Sequence, residues 1–444
     1  MSQERLQPNL SDTYDAIIVG ARISGAATAL LLAQQGARVL LLDRVTFPAP
    51  TVSCPVFFGN SLAMLDRLGV LDVVEAIDAP KIRLYGLRTP EFDMVTPLPK
   101  SGGRDYAYSI RREVLDTAIL ERVRTHSNIT LREGFNVNDV IWSMGQVVGV
   151  RGRQNGAREE SLYARVVVGA DGKRSKIAQL VDAKIYDRQK SETALFYAYY
   201  QRFAQLHEPS AISYGNQETR QGVLVFDADN GLTVVSVGVP ATEFDEARKD
   251  PEATLERVWR AVPELAERGR HAVRETKVMG QAPFDSFYRQ PYGSGWTLVG
   301  DAGHYIDPIT GQGINHALRS AELFAEAWAR MQRHSTWQRA MAAYHRKRDS
   351  ETRPMYNFVA IGEQMQQVPP ELGVFIGTLV FRAIARQPDS AKRFVGMFNG
   401  ATSIESFTHP LNLTRIVIQD GLQNELPRLA GTLVGARAAT SPGL

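Results

Sequence analysis

The chain has 444 residues, about three times the length of a typical domain, so we expect two or three structural units. Its composition, with 44% hydrophobic and 22% charged residues, excludes a disordered chain, a collagen-like fibre and a coiled coil. The 51 lysines and arginines nearly balance the 48 aspartates and glutamates, and the net charge of +3 gives no indication of nucleic-acid binding.

Cysteine usage and the length of the apolar segments indicate the compartment. The single cysteine, Cys54, cannot form an intramolecular disulfide, which favours a reducing compartment. Residues 1–15 lack the apolar core of a signal peptide, and the apolar stretch 372–381 is about half as long as a membrane span. The basic cluster 345–348 is predicted to be a solvated helix face. We therefore predict a cytoplasmic protein without a membrane span.

The first predicted elements form a βαβ unit. Residues 15–19 are a continuous apolar run that stops at Gly20, as in a parallel strand buried on both faces. A helix with many small side chains follows over residues 24–35. A second apolar strand, over residues 38–42, ends at Asp43. This order is typical of a dinucleotide-binding unit at the start of a doubly wound sheet.

The next part of the chain predicts helices and a hairpin. Residues 61–68 and 112–125 have helical patterns, the second with a clear apolar stripe. The dipeptide Asn155-Gly156 lies between two strand-like segments and predicts a type I′ turn, which needs positive φ at both residues. An apolar strand over residues 166–168 follows.

Residues 190–290 differ from the rest because their strand-like segments are rich in aromatic and β-branched residues. We therefore expect a separate, mainly antiparallel sheet. Alternation in its first strand places Tyr197 and Tyr199 on one face. After a buried strand over residues 296–299, a long helix is predicted to begin near Gly313, and most of the remaining chain is helical in pattern.

The first motif that carries chemistry is the turn after the first strand, residues 20–25 (GARISG). In a dinucleotide-binding turn the first glycine allows the tight bend, the last allows close packing of the helix, and free N–H groups face the pyrophosphate. Asp43 lies where a carboxylate can bind the adenosine ribose. Arg22 replaces the usual second glycine, and its guanidinium can bind a phosphate. A plain structural turn is the alternative interpretation.

Two further glycine-rich motifs also follow apolar strands. Residues 169–175 (GADGKRS) are a weak signal alone, because Asp-Gly after a strand is usually just a turn. In residues 300–313 the acidic residue Asp301 follows the end of a strand. The glycine-rich step 311–313 at the end of this segment opens the long helix. The amino end of that helix would stabilise negative charge on a bound ring system.

Taken in this order, the three motifs resemble those of the FAD-dependent group A aromatic hydroxylases, the para-hydroxybenzoate hydroxylase-like monooxygenases. GAR in the first turn and DPIT in the third resemble a bacterial subgroup. The resemblance implies an α/β fold in which a Rossmann-like FAD-binding domain, with a βαβ unit and a three-stranded β-meander, is interleaved with a mainly antiparallel substrate domain. The implied boundaries are residues 12–185 and 290–335 for FAD, 186–289 for the substrate, and 336–430 for a helical C-terminal region.

The resemblance also implies the residues that bind FAD. In chain order they are Gly20, Arg22, Ile23, Ser24, Gly25, Asp43, Arg44, Arg112, Val137, Asp171, Asp301, Pro308, Gly311, Gln312, Gly313 and Ile314. The first turn would hold the pyrophosphate, Asp43 the ribose, and Asp301 the ribityl chain. Arg112 would reach the phosphates or the ribityl chain, and Val137 would offer backbone groups to the adenine.

The other two motifs have family roles as well. Asp171 belongs to a motif that in the family helps bind both FAD and the nicotinamide coenzyme. Pro308 and residues 311–314 would line the flavin ring, so a side chain added at Gly313 is expected to collide with it.

The implied activity is that of an FAD-dependent monooxygenase. NADH or NADPH would reduce the flavin, O2 would form a C4a-hydroperoxyflavin, and an aromatic or apolar small molecule would be hydroxylated or epoxidised. A reductase or dehydrogenase of a prenyl or alkene substrate is one alternative, and a flavin-dependent halogenase is another. The tryptophan-containing segments typical of tryptophan-type halogenases and of geranylgeranyl reductases are absent from the sequence. A non-enzymatic flavoprotein is less favoured.

The sequence assigns no catalytic base and no metal site. Tyr197 and Tyr199 are candidate substrate-pocket residues, with sheet packing as the alternative. Several C-terminal side chains are predicted to form an apolar layer against the substrate domain, as packing core or as a lid over a lipophilic pocket: Phe358, Phe375, Phe381, Phe394, Met397, Phe398 and Phe407. The chain could be a monomer or a homodimer.

Overall fold

The computed structural model describes residues 13–53, 55–216, 219–333, 335–364 and 370–425. Residue 12, Cys54 and residues 426–430 of the predicted domains lie outside these ranges. The helices are α1 (Ile23–Gln34), α2 (Gly59–Arg67), α3 (Leu71–Glu75), α4 (Arg112–Thr125), α5 (Lys176–Leu180), α6 (Phe244–Ala247), α7 (Pro251–Arg260), α8 (Pro263–Arg268), α9 (Gly313–Arg333), α10 (Trp337–Gln364), α11 (Pro370–Ala385), α12 (Pro388–Asn399), α13 (Ile404–Thr408) and α14 (Pro410–Asp420).

The strands belong to three sheets. They are β1 (Tyr14–Val19), β2 (Val39–Asp43), β3 (Leu84–Arg88), β4 (Thr96–Pro97), β5 (Ile129–Glu133), β6 (Phe135–Ser143), β7 (Gln146–Gln154), β8 (Glu160–Gly169), β9 (Ile185–Gln189), β10 (Thr193–Gln201), β11 (Ser210–Asn216), β12 (Gln221–Asp227), β13 (Thr233–Pro240), β14 (Val273–Arg274), β15 (Met279–Gln281), β16 (Ser286–Arg289), β17 (Tyr292–Gly293), β18 (Trp296–Leu298) and β19 (His304–Tyr305). The smallest sheet joins β9, β16 and β19.

The first sheet has the order β17-β18-β8-β1-β2-β5, and β18, β8, β1, β2 and β5 are parallel neighbours. Helices α1, α4 and α9 cover one face, and the antiparallel strands β6 and β7 cover the other. Strands β1, β2 and β8 are therefore buried on both faces, as their continuous apolar runs predict. The turn between β7 and β8 has positive φ at Asn155 (44°) and Gly156 (78°), which confirms the predicted hairpin.

The second sheet has the order β14-β10-β13-β12-β11-β3-β4, with β15 paired to β10. It is antiparallel except for the parallel pair β11–β3, so the predicted α/β fold with a mainly antiparallel second sheet is confirmed. Strands β3 and β4 come from residues 84–97, within the segment predicted to belong to the FAD-binding domain. A parallel pairing between distant segments leaves no hairpin signal in the sequence. The exact domain boundaries stay a prediction.

The second sheet is packed on both faces. Phe196, Ala198 and Tyr200 lie against α7 and α8, whereas Tyr197 and Tyr199 face the C-terminal helices. The alternation predicted for β10 is therefore correct. The apolar layer predicted for the C-terminal helices forms as well, except at Phe375, whose side chain is 64% exposed. We call this sheet face, together with the helices α11–α14, Phe358 of α10 and the residues Val56 and Phe58 that pack with them, the apolar layer.

The basic cluster on α10 is solvated as predicted at Arg346 and partly at His345 and Lys347, but not at Arg348. Arg348 is 1% exposed, and its guanidinium donates to the carbonyl oxygens of Arg289 and Gly303, both at 3.2 Å. The backbone of the neighbouring loop thus supplies acceptors that the sequence cannot indicate. No helix among the described residues is long and apolar enough to cross a bilayer.

Candidate functional site

The turn between β1 and α1 is built for close packing. A Cβ at Gly20, whose φ is 105°, would lie 2.4 Å from the carbonyl oxygen of Ala170. A Cβ at Gly25 would lie 1.7 Å from the carbonyl oxygen of Gly20. No side chain caps the amino end of α1, so its first N–H groups can bind an anion. Ile23 and Ser24 in this first turn are both buried.

Asp43 holds this turn against the end of β2. Its carboxylate accepts the N–H of Ala21 at 2.7 Å through one oxygen and that of Val45 at 3.0 Å through the other. Each oxygen keeps a further lone pair that could accept a ribose hydroxyl. Arg44 follows with an exposed side chain. Asp43 therefore supports the turn as well as lying at the position predicted for the ribose.

The two arginines predicted to contact phosphate converge on one buried carboxylate. Arg22 donates to Asp116 at 2.6 Å, and Arg112 donates to the same side chain at 2.9 Å. Arg22 also donates to the carbonyl oxygens of Ala49 and Pro50. Sequence analysis missed Asp116 because an Arg and an Asp four residues apart on a helix form an ordinary surface pair in most proteins. Here the side chain of Asp116 is fully buried.

Asp171 forms its side-chain hydrogen bonds with residues that follow it closely in the chain. Its carboxylate accepts from the hydroxyl of Ser175 and from the N–H groups of Lys176 at 2.6 Å and Ile177 at 3.1 Å. These contacts hold the start of α5. Lys173, in the same motif as Asp171, donates to the side chain of Gln281 at 2.7 Å. Burial lowers the pKa of Lys173 to about 8, against the opposing effect of nearby carboxylates.

The third motif meets the first. A Cβ at Gly300 would lie 2.8 Å from the hydroxyl oxygen of Ser24 at the start of α1. The next residue, Asp301, is partly buried, and burial raises its pKa to about 6 although Lys173 and Arg112 act to lower it. The carboxyl ends of β1, β8 and β18 thus bring all three motifs to one edge of the first sheet, which we call the FAD edge.

Residues 308–314 lead from the FAD edge into α9. Gly311 has a left-handed conformation, and a Cβ there would lie 3.0 Å from Val56. Gln312 is buried and donates to the carbonyl oxygen of Phe398 at 2.8 Å. A Cβ at Gly313 would meet no protein atom within 4 Å, so there is free space beside the amino end of α9. Pro308 is exposed and Ile314 is part of the core against α1.

Val137 and the two tyrosines occupy other surroundings. Val137 lies within β6, opposite Gly152, and belongs to the cluster on the face of the sheet away from α1. Tyr197 does more than pack: its hydroxyl accepts the N–H of Ser53 at 2.8 Å. Tyr199 shares the face of Tyr197, and their rings are 6.3 Å apart.

Two histidines near the third motif are neutral at physiological pH. His304 and His316 are buried with ring centroids 5.2 Å apart, and burial lowers the pKa of His316 to about 4 and that of His304 well below its usual value. The ring of His304 stacks on Tyr288. Both are therefore weak bases, and neither is assigned a catalytic role.

The FAD edge fits the group that the motifs predict. The packing at Gly20 and Gly25 brings a bare backbone turn and an uncapped helix end together, as a pyrophosphate requires. Two guanidiniums, Arg22 and Arg112, are held at the same edge, and the carboxylate of Asp43 stands at the end of the neighbouring strand. This donor and acceptor set suits a phosphate- and hydroxyl-bearing dinucleotide.

Comparison with known proteins supports this assignment. Residues 13–358 match the FAD binding domain family. A digeranylgeranylglycerophospholipid reductase of Methanocella arvoryzae is 27% identical over 320 residues, which cover 71% of this chain and 77% of that protein. The 3-demethoxyubiquinol 3-hydroxylase of Escherichia coli is 26% identical over 353 residues, which cover 70% of this chain and 81% of that protein.

The fold is also similar to solved structures. The flavin-dependent brominase Bmp2 has a TM-score of 0.74 and 18% sequence identity, and the match covers 93% of this chain and 100% of that one. The named activities of these proteins are reduction, hydroxylation and bromination. The match over residues 13–358 spans most of the chain. The chain therefore belongs to the family of FAD-dependent oxidoreductases similar to aromatic hydroxylases, and FAD is its cofactor.

Proposed function

We propose that this protein is an FAD-dependent monooxygenase that uses NADH or NADPH and O2 to oxygenate an aromatic or otherwise apolar small molecule. The observation that carries the proposal is the contact between residues 308–314 and the apolar layer. Gly311 lies against Val56, and Gln312 binds the backbone of Phe398. A substrate in the apolar layer would therefore lie next to the position predicted for the flavin ring.

The residues of the FAD edge bind and orient the cofactor in this proposal. The amino end of α1 and the guanidiniums of Arg22 and Arg112 hold the phosphates, and Asp43 holds the ribose. FAD supplies the redox chemistry, because flavins accept a hydride and react with O2. The amino end of α9 stabilises negative charge that develops on the ring.

The apolar layer supplies a nonpolar lining for the substrate in this proposal. Rings of Phe358, Phe394 and Phe398 pack against one another with centroids 5.6–6.2 Å apart. A nonpolar lining of this kind would strengthen electrostatic interactions within the site once a bound substrate displaces water. The hydroxylase among the relatives agrees with this chemistry.

The test combines coenzyme oxidation with isotope labelling. The FAD-loaded protein is incubated with NADH or NADPH, 18O2 and a panel of apolar aromatic compounds. We expect one compound to stimulate coenzyme oxidation and to yield a product with one 18O atom. Stimulated coenzyme oxidation without oxygen in any product would contradict the proposal.

A reductase of a prenyl or alkene substrate is the second candidate. It is favoured by the reductase from Methanocella arvoryzae and by an apolar layer that could also accept a prenyl chain. A reaction under anaerobic conditions distinguishes the two candidate functions. A reductase would transfer electrons from reduced flavin to the substrate without O2, whereas a monooxygenase would leave the substrate unchanged.

A further inference from the structure

Two rows of side chains cross the second sheet on the face that the C-terminal helices cover. The strand register places the first row at Tyr85, Ala211, Phe226, Val234 and Tyr199. The second row is Leu87, Ser213, Leu224, Ser236 and Tyr197. Alanine and serine side chains thus stand between larger ones on the sheet, with Ala211 next to Tyr85.

The two sides of the apolar layer do not close completely over this face. Leu87, Ser213 and Leu224 are only half-buried on the sheet. Phe358 and Phe398 are half-buried on the helical side. Well-packed protein cores bury such side chains fully, so partial exposure on both sides means that solvent can reach these side chains.

Tyr85 lies on this face, and its hydroxyl has no hydrogen-bond partner among the described residues. Its ring contacts Phe58 at 5.1 Å and Phe398 at 5.8 Å between centroids. Within the described part of the chain no hydrogen bond to the hydroxyl is found, in contrast to that of Tyr197. Burial alone, with no opposing hydrogen bond or charge, raises the pKa of Tyr85. A phenol in apolar surroundings normally has a hydrogen-bond partner.

The neighbours of Tyr85 are also neighbours of the residues predicted to line the flavin. Phe58 lies 4.0 Å from the position that a Cβ of Gly311 would take. Phe398 accepts the hydrogen bond of Gln312 through its backbone oxygen. Phe58 and Phe398 therefore each connect the ring of Tyr85 to residues 308–314.

We propose that Tyr85 donates a hydrogen bond to a hydroxyl or carbonyl group of the substrate, and thereby selects a flat apolar ring that carries such a group. The apolar layer supplies the ring contacts, and Tyr85 supplies the polar contact that fixes the orientation. The inference rests on the proposed function for the place of the substrate. It goes further by naming the substrate class and the residue that determines specificity.

Binding of a matched pair of probes tests the inference. 2-Naphthol and 2-methylnaphthalene have similar shapes but differ by a hydroxyl against a methyl group. We expect the FAD-loaded protein to bind 2-naphthol about 3–10-fold more tightly in calorimetric titrations, the effect of one net hydrogen bond. Tyr85→Phe should abolish this preference and leave the affinity for 2-methylnaphthalene unchanged.

Two further variants serve as controls. Tyr108→Phe removes a buried hydroxyl from the core of the first sheet and should keep the preference. Ser213→Leu adds volume in the second row, diagonal to Tyr85, and should weaken the binding of both probes equally. Failure of the parent protein to prefer 2-naphthol, or a preference that survives in Tyr85→Phe, would overturn the inference.

The outcomes also separate this inference from the proposed function. Tyr85-dependent binding without an oxygenated product would leave the polar contact in place and contradict the monooxygenase. Oxygenation of a ring compound together with an unchanged preference in Tyr85→Phe would contradict the polar contact and leave the monooxygenase in place.

Discussion

The FAD edge and the apolar layer are constructed in opposite ways. The FAD edge is made of short motifs, each local in sequence, in which glycines bring backbone close to backbone at Gly20, Gly25 and Gly300. The apolar layer joins side chains that are far apart in the chain, such as Phe58, Tyr85 and Phe398. A cofactor site of the first kind can be kept while a substrate site of the second kind is remodelled. This difference explains how relatives with a common FAD-binding domain carry names of different reactions.

The two regions differ in charge as well as in construction. The FAD edge contains Arg22, Arg112, Asp116, Lys173 and Asp301, whereas the described part of the apolar layer is mainly hydrophobic, with the uncharged side chains of Ser213 and Ser236 on its sheet face. Changes at the FAD edge should therefore act through cofactor binding and pH. Changes in the apolar layer should act through packing and substrate affinity. Four predictions sharpen or break this distinction.

The largest effect is expected for Gly20→Ala at the FAD edge. The added Cβ would clash with the backbone of Ala170, and we expect a loss of more than about 3 kcal/mol in the free energy of unfolding together with loss of FAD. Urea unfolding and flavin absorbance after gel filtration measure the two effects.

The matched control is Gly36→Ala. Gly36 also has a positive φ, 85°, but a Cβ there would meet no atom within 4 Å. Gly36→Ala should lower the free energy of unfolding by only about 1–2 kcal/mol and leave FAD bound. Equal effects of the two variants would show that backbone conformation, and not close packing, defines the turn.

The next effect is expected for Phe394→Ala in the apolar layer. Phe394 is 7% exposed and contacts the rings of Phe381, Phe398 and Phe407. The cavity left behind should lower the free energy of unfolding by about 3 kcal/mol while the dissociation constant of FAD stays the same. Phe375→Ala, at an exposed position of α11, should change stability by less than about 0.5 kcal/mol. A large loss of FAD affinity in Phe394→Ala would mean that the two regions are not separable.

A smaller effect is expected for Asp116→Asn. The substitution keeps the shape of the side chain but leaves Arg22 and Arg112 without their shared counter-charge. The free energy of unfolding of the FAD-free variant should be about 2 kcal/mol lower than that of the FAD-free parent. Saturating FAD should restore part of this stability, because its phosphates supply negative charge. Thermal unfolding with and without FAD measures both. Asp72→Asn, which breaks an exposed pair with Arg122, should change little. No recovery with FAD would mean that the arginines do not face the phosphates.

The last effect, similar in size to that of Asp116→Asn, concerns the pH dependence of Asp301. Burial raises its pKa from 3.8 to about 6, so between these values the folded protein holds a proton that the unfolded chain has released. The free energy of unfolding therefore falls as pH rises through this window. The free energy of unfolding of FAD-free Asp301→Asn, relative to that of the parent, should therefore rise by about 2 kcal/mol between about pH 4 and pH 7. The exposed Asp78→Asn should show no such gain. A parallel pH profile for parent and Asp301→Asn would contradict the raised pKa.

The sequence by itself determined the elements whose signals are local. The βαβ unit, the type I′ turn at Asn155-Gly156 and the alternation of β10 are confirmed because each depends on neighbouring residues alone. The three motifs led to the correct family and to FAD for the same reason. Their glycines are needed by the backbone geometry of the turn itself.

Only the tertiary structure decided the partners of distant residues. It placed β3 in the second sheet, buried Arg348 among loop carbonyls, exposed Phe375 and joined Arg22 to Asp116. It also packed the ring of Tyr85 against Phe58 and Phe398. These contacts connect residues separated by tens to hundreds of positions, and their free energies depend on burial and on acceptors from other segments. No local pattern of residue types specifies such surroundings, which is why the cofactor could be predicted from the sequence and the substrate contacts could not.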